Sequence, residues 1–496
     1  MAVRFNRPEH YAPATFGYRT LPFRFMRLSS RQVLLVNEVG EFLYLDPDTF
    51  GLFVGHKLSP THPSYNDLKG KHFFIDGEST TPIALLATKY RSKKSFLDGF
   101  TKLHLFVVTL RCDHSCHYCQ VSRVSTDRIQ FDMSKETAQR AVDLMFQSPA
   151  RGIKVEFQGG EPLLNFDLIR FIVEYAESKN QSIGKNIEYV VATNLAFVTD
   201  DILAFLKDHS ILVSTSLDGP EFIHNANRFR PGNNSHETTV HNIERVREAL
   251  GHDRVSALMT TTTLSLDYPR EIVDEYVRRG FNSIFLRAIS PYGFAVRSKG
   301  LSNYETSRFL SFYKTALDYI IQLNRGGIRF VELYAQLLLT KILTPFATGY
   351  VDLQSPSGVG IGAVAYNYDG NVYVSDEARM LAEMGDRTFC MGNVHTHNYQ
   401  QLFGGELLRN IVESSCLETL PGCSECVFQP YCGADPVFNY ATQSDIIGHR
   451  PTSQFCAKNM ETFKCLFGHL ASEDEFVTRL FASWATGIDQ TGEASA

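Results

Sequence analysis

No run of about 18 apolar residues occurs in this 496-residue chain, so no transmembrane helix is expected. Residues 1–20 are polar, carry Arg4, Arg7 and Arg19, and lack the apolar core of a secretory signal. Positive charge is not in excess either. The 48 Lys and Arg face 54 Asp and Glu, a formal net charge of -6, which argues against nucleic acid as the main partner. Without an address or an anchor the chain is expected in the cytoplasm, a reducing compartment where disulfides are rare. At 44% hydrophobic and 21% charged the composition is that of a soluble globular protein, and the length predicts two or three domains.

What the chain does have is cysteine in clusters. Of ten, seven fall between Cys390 and Cys465, and three sit at C-x3-C-x2-C spacing as Cys112, Cys116 and Cys119. Such spacings suit metal rather than disulfide. Four thiolates normally close an iron–sulfur cubane, so three clustered thiolates with no fourth nearby leave one iron open to bind and activate something. The alternative is a zinc knuckle, with His114 and His117 inside the same loop as further donors.

Residues 1–100 read as a separate N-terminal domain. Residues 32–45 form two apolar runs around Asn37-Glu38-Val39-Gly40, a predicted β-hairpin. Asp46-Pro47-Asp48 opens a helix expected to run to Leu58, where Ser59-Pro60 stops it. A second helix is expected over residues 65–73, and the basic stretch 89–94 reads as a solvated linker. From residue 101 to 330 strands and amphipathic helices alternate. Strands are predicted over 103–110, 153–157, 187–192, 211–217, 255–261 and 283–287, with helices over 136–146, 166–177, 200–207, 238–250 and 269–279. Ser134 and Thr199 suit N-caps, and Gly280 suits the position just past a helix. This alternation predicts an α/β fold with a parallel sheet and helices outside, whose site lies at the C-terminal strand ends. A helix over 304–323 closes this unit, and residues 331–496 form a different, cysteine-rich region.

At those strand ends lie Gly159-Gly160-Glu161, Thr193-Asn194, Ser216-Leu217-Asp218 and Arg287. Paired glycines let a ligand approach the backbone, and Glu161 is placed to accept from an ammonium group. Asp218-Gly219 reads equally as a turn, and Arg287 equally as an ion pair closing the barrel. Two near-matches are read as structural. Gly404-Gly405-Glu406 follows no strand, and Gly358-Val359-Gly360-Ile361-Gly362 lacks the strand–turn–helix of a dinucleotide loop.

The Cys112–Cys116–Cys119 stretch, with Tyr118 before the third cysteine, resembles the signature of the radical S-adenosylmethionine (radical SAM) enzymes. The resemblance implies a partial (β/α)6 TIM-like barrel. It also implies a [4Fe–4S] cluster whose open iron chelates S-adenosylmethionine, and cleavage of that cofactor to a 5′-deoxyadenosyl radical. Carried over residue by residue, Tyr118 packs near the adenine, and Gly159, Gly160 and Glu161 hold the methionyl amino group. Asn194, Ser216, Asp218 and Arg287 serve the ribose and carboxylate. The tail Cys423-x2-Cys426-x5-Cys432, followed by Cys456, resembles the SPASM extension of peptide-modifying members, which implies an auxiliary [4Fe–4S] cluster; a zinc ribbon is the alternative. Cysteines for a second auxiliary cluster are absent around 357–362, at Ser375 and after Cys432. That leaves Cys390 and Cys416 as ligands of a rearranged site or as buried thiols, and Cys465 as a core thiol. Asp376 follows Ser375 and matches a proton-accepting acid of sulfatase-maturing relatives; Glu377 and Arg379 beside it read alternatively as a surface charge cluster.

The N-terminal hairpin followed by helices resembles winged-helix domains that dock a leader peptide, or else is a simple cap on the barrel. Residues 102–465 as a whole resemble the B-type maturase of the His-Xaa-Ser system, which implies a ribosomally made peptide substrate, a second radical SAM maturase as partner, and an external reductant such as flavodoxin or ferredoxin. A sulfatase-type maturase oxidising Ser or Cys, and a non-enzymatic iron–sulfur or zinc scaffold, are the rival expectations.

Overall fold

A computed structural model describes residues 17–297 and 304–488. Near the N-terminus three antiparallel strands, Phe23–Arg27, Val33–Asn37 and Phe42–Leu45, pair in chain order, and the last two are the predicted hairpin. The helix Pro47–Val54 follows, capped by the Asp46 carboxylate, which accepts from the amides of Asp48 and Thr49 at 3.0 and 2.9 Å. It stops short of Leu58 because His56 takes a left-handed conformation at φ 55°. The second helix spans Tyr65–Gly70. Residues 89–94 are not a solvated linker. They end the helix Thr81–Lys93, where Lys93 lies 5.3 Å from the Tyr431 ring and Lys94 pairs with Glu418 at 2.6 Å. Leu34 and Val36 of this small sheet join a core shared with the C-terminal helices, and the Tyr431 hydroxyl donates to the Gly40 carbonyl at 2.8 Å.

The central sheet has eight strands in the order Val255–Leu258, Leu212–Ser216, Asn186–Thr193, Gly152–Gly159, Leu103–Thr109, Ala363–Tyr366, Asn371–Tyr373 and Cys390–Asn393. The first six run parallel, and each of the last two pairs antiparallel with the strand before it. Five predicted strands are thus the barrel ladder. Helices Lys135–Met145, Phe166–Ile183, Asp200–Asp208, Ser235–Leu250 and Pro269–Arg278 intervene in the chain, capped at Ser134 and Thr199 as read. Alternate apolar residues of the strands and the inner faces of the first four helices form one core, while Ile272, Val273 and Tyr276 of the fifth join the core shared with the C-terminal helices. The expected α/β architecture with a parallel sheet is therefore present, with three strands from beyond residue 330 extending the sheet past the first barrel strand.

The sixth segment departs from expectation. Ser283–Ile284 pairs in parallel with Val331–Glu332, ahead of the helix Leu333–Leu343, instead of extending the ladder. Glu332, a fully buried carboxylate, fastens this end by accepting from the amides of Leu286, Tyr334 and Ala335 and from the Tyr313 hydroxyl. The Thr261 amide, past the end of the fifth strand, still donates to Arg287 O at 2.9 Å. The helix Thr306–Arg325 packs across this end.

The joint between the first barrel strand and Ala363–Tyr366 carries a buried histidine. His104 Nδ1 accepts from the Tyr366 hydroxyl at 3.1 Å, and Nε2 donates to the Thr101 carbonyl at 3.2 Å. Burial pushes its pKa down to about 3, so the fold holds it neutral. The unfolded chain binds this proton below pH 6.5 and the folded one does not. Stability is therefore complete above that pH and lost as the pH falls from 6.5 toward 3. His104 alone is expected to cost about 2 kcal/mol at pH 5 relative to neutrality. A His104→Gln variant, which keeps a donor and an acceptor, should show a shallower fall of melting temperature between pH 7 and pH 5 than the parent; an unchanged slope would refute the assignment.

Candidate active site

The cysteine loop leaves the first barrel strand and closes on itself, with the Cys112 amide donating to Val124 O at 3.0 Å and the Val124 amide to Leu110 O at 2.8 Å. Arg111 clamps it from outside. Its Nε and Nη2 meet the two oxygens of Asp132 at 2.8 Å each, and Nη2 also donates to Leu164 O at 2.9 Å. The second barrel strand ends against this loop, where the Gly160 amide donates to Thr109 O at 2.8 Å and the Glu161 amide to Arg111 O at 2.7 Å. A Cβ on Gly159 would overlap the carbonyl of Thr109, and one on Gly160 would overlap those of Leu110 and Arg111. The sequence reading assigned the paired glycines to ligand approach; in the structure the close approach is made by the chain's own cysteine loop.

Glu161 is fully buried, and burial raises its carboxyl to about 7. It accepts from the Thr193 hydroxyl at 2.6 Å and the amides of Leu163 and Asn194 at 3.0 and 2.8 Å, so it ties the second strand end to the third. Asn194 reaches back to the loop: its amide nitrogen lies 2.9 Å from Asp113 Oδ1, 2.9 Å from His114 Nδ1 and 3.9 Å from Cys112 Sγ. Glu161, Asn194 and Cys112 therefore share one buried place. Ser216 ends the fourth strand with a hydroxyl that makes no side-chain hydrogen bond among the described residues.

Asp218 and Arg287 both have partners within the chain. Asp218, fully buried, accepts from Tyr118 OH at 2.7 Å, from Nε and Nη2 of Arg228 at 3.1 Å each, and from the Thr260 amide at 3.2 Å. Its carboxylate is spent on holding Tyr118 and Arg228, which is a positioning role. Arg287 lines a cavity of about 330 Å³, beside Tyr350, Asp352 and Glu377, and its charge also reaches Glu156 of the second barrel strand. Sequence reasoning missed Arg228, whose guanidinium sits 5.4 Å from the Tyr118 ring centre, and no motif marks it.

All ten cysteines are free. Burial and the neighbouring Cys116 push the Cys112 thiol well up, and burial with the neighbouring Cys119 takes Cys116 to about 12. Three soft sulfurs gathered in a dry loop, each raising the next, fit a cluster that binds thiolates. Cys112, Asp113 and His114 bring donor atoms within 4.8 Å of one another, a geometry open to zinc. Both His114 nitrogens are already engaged, however, Nδ1 with Asp113 and Nε2 with Ser235, each at 2.8 Å.

In the C-terminal region the charges of Cys423, Cys432 and Cys456 all reach Cys426, whose thiol burial raises to about 12. Arg450 Nε donates to Cys423 Sγ at 3.0 Å and the Asn459 amide to Cys432 Sγ at 3.7 Å, donors suited to an anionic sulfur site. These four thiols allow an auxiliary cluster. Cys390 and Cys416 are not brought to them. The Cys390 thiol donates to Gly392 O at 3.5 Å inside a core with Phe389, and Cys416 to Val412 O at 3.3 Å beside Glu418. Cys465 packs in the core, as read. Asp376 starts the helix Asp376–Glu383 and pairs with Arg379 at 2.6 Å. Arg379 is fully buried, so these residues are no surface cluster, and Asp376 is committed to a cation. Glu377, one residue on, faces the cavity.

Residues 106–276 match the model of the Radical SAM superfamily. An uncharacterized protein of Methanocaldococcus jannaschii is 30% identical over 196 residues, 39% of this chain and 65% of that one. The cysteine-type anaerobic sulfatase-maturating enzyme of Clostridium novyi is 22% identical over 396 residues, 75% of this chain and 95% of that one. The chain spans less than two thirds of the length of three curated relatives it matches, at 65%, 37% and 65%. Among solved structures, native anSMEcpe with bound AdoMet superimposes with a TM-score of 0.59 at 18% identity, over 74% of this chain and 98% of that one. Streptococcus suis SuiB bound to the precursor peptide SuiA gives 0.51 at 13% identity, over 88% and 99%. With three thiols at the end of the first barrel strand, Glu161 and Asn194 beside them, and a superfamily match over the strands that carry all five, this chain holds a radical SAM domain with a site for a [4Fe–4S] cluster and S-adenosylmethionine.

Proposed function

We propose that the chain is a radical SAM maturase that modifies residues of a ribosomally made peptide, of the His-Xaa-Ser type. When bound, the cluster and S-adenosylmethionine supply a one-electron cleavage whose radical takes hydrogen from an unactivated carbon. The chain's own residues place and shield that chemistry. Asn194 and Glu161 fix the cysteine loop against two strand ends, Arg111 locks its outer side, and Arg228 with Asp218 holds the Tyr118 ring. Cys423, Cys426, Cys432 and Cys456 would hold the auxiliary cluster. The observation that carries the peptide reading is the cavity beyond the barrel end, whose volume of about 330 Å³ suits a side chain of an extended segment. Edge strand Phe23–Arg27, with Phe25 54% exposed, offers a place for a leader peptide to add a strand.

The sulfatase-type reading is supported by matches to sulfatase-maturating enzymes, among them the Clostridium novyi enzyme over 75% of this chain and 95% of that one. Anaerobic reconstitution, reduction and mass spectrometry separate the readings. The maturase is expected to form 5′-deoxyadenosine and to change the mass of a His-Xaa-Ser repeat peptide. A change confined to a sulfatase-derived Cys or Ser peptide transfers the assignment to the second reading. No 5′-deoxyadenosine at all would leave a scaffold.

A further inference from the structure

The cavity lies between the sixth barrel segment and the cysteine-rich region, and carries more charge than its walls balance. Asp352, Glu377 and Asp435 line it together with Arg287 and Lys458. Burial raises the Glu377 carboxyl to about 7, and the charges of Asp352 and Asp376 add to the effect. Asp435 and Asp352 are likewise raised, chiefly by burial. Among the described residues neither Arg287 nor Lys458 makes an ion pair within 4.0 Å. Lys458 lies 5.5 Å from the rings of both Tyr334 and Phe455, and the charges of Asp352 and Asp435 reach it without a direct ion pair.

A second observation points to a guest. Tyr292 is fully buried, lines the cavity, and its hydroxyl has no hydrogen-bond partner among the described residues. The charges of Asp435, Glu377 and Asp352, which line the same cavity, reach this phenol. A buried hydroxyl left unpaired beside three crowded carboxylates is costly, and a ligand with N–H donors and a positive charge relieves both costs at once. The aromatic walls of Phe438 and Phe455 add cation–π attraction for such a group.

We propose that this cavity is the substrate side-chain pocket and that it selects a cationic side chain, a guanidinium, an ammonium or a protonated imidazole, held by Glu377, Asp352 and Asp435 with Tyr292 OH as a further partner. The inference rests on the peptide-maturase reading and names the residue class its substrate presents.

Calorimetry on the anaerobically reconstituted full chain, with S-adenosylmethionine present, tests it. The probes are the Nα-acetyl amides of arginine, lysine and histidine, against the neutral citrulline and glutamine amides and the anionic glutamate amide. At least one cationic probe is expected to bind about tenfold or more tightly than citrulline amide, and Glu377→Gln or Asp352→Asn to weaken it by about tenfold each. Two variants at separate sites, each checked for unchanged iron content, guard against a folding defect in one. Equal binding of citrulline amide, preference for the glutamate amide, or no binding up to about 10 mM would overturn the proposal. Formation of 5′-deoxyadenosine without any peptide reports on the radical reading separately, so the two failures are distinguishable.

Discussion

Replacing Cys112, Cys116 and Cys119 together by Ala is expected to remove about four irons per chain from the anaerobically reconstituted protein and to leave about four. Formation of 5′-deoxyadenosine should fall to the uncatalysed background, a loss of at least about a million-fold. The structure sharpens the count for the unaltered chain. Cys423, Cys432 and Cys456 lie near enough to Cys426 for each to raise its thiol, while Cys390 and Cys416 donate to backbone carbonyls elsewhere. About eight irons are therefore expected before mutation, not about twelve. Zinc in place of iron, or an iron content untouched by the triple substitution, would remove the basis of the assignment.

Gly160→Ala should be almost as damaging although it alters no ligand. The added methyl would overlap the carbonyl oxygens of Leu110 and Arg111, both backbone atoms, so no side-chain rotation relieves it. The strand end must instead part from the cysteine loop, breaking the bonds from the Gly160 amide to Thr109 O and the Glu161 amide to Arg111 O. A cost of about 3 kcal/mol or more is expected, read as a lower denaturation midpoint together with poor iron retention. Gly152→Ala, at the start of the same strand with no atom within 4 Å of the new methyl, is the control and should stay within about 0.5 kcal/mol. Similar losses for both would mean that the strand, not the junction, is at fault.

The features legible in the sequence are those with local signals. The triad spacing, the run from 103 to 110, the helical periodicity and the caps at Ser134 and Thr199 depend on nearby residues, and each appears where it was read. Features built by long-range partners were hidden. Arg287 follows a strand as the barrel pattern requires, yet it faces Asp352 and Glu377, 65 and 90 positions on. Asp218 reads as a turn or a cofactor ligand until Arg228 and Tyr118 are seen to occupy it. The stretch 89–94 looks like a linker because nothing nearby announces that Glu418 and Tyr431 will pin its lysines. The cavity acids come from three separated segments, and only the missing cysteines near Ser375 and Cys432 hinted that this region is built differently.

The first barrel strand has a partner that arrives late. Leu103 pairs with Ala363, which lies 363 − 103 = 260 residues further along the chain. At about 5–20 residues per second, the ribosome needs about 13–52 s to deliver that partner. Throughout that interval the strand carrying the cysteine triad has an unpaired edge, lined by Leu105 and Phe106, exposed to other nascent chains. Supplying chaperones, or slowing initiation so that fewer chains share a message, is thus a matter of protecting one particular edge. Truncations that end before residue 366 leave it open for good.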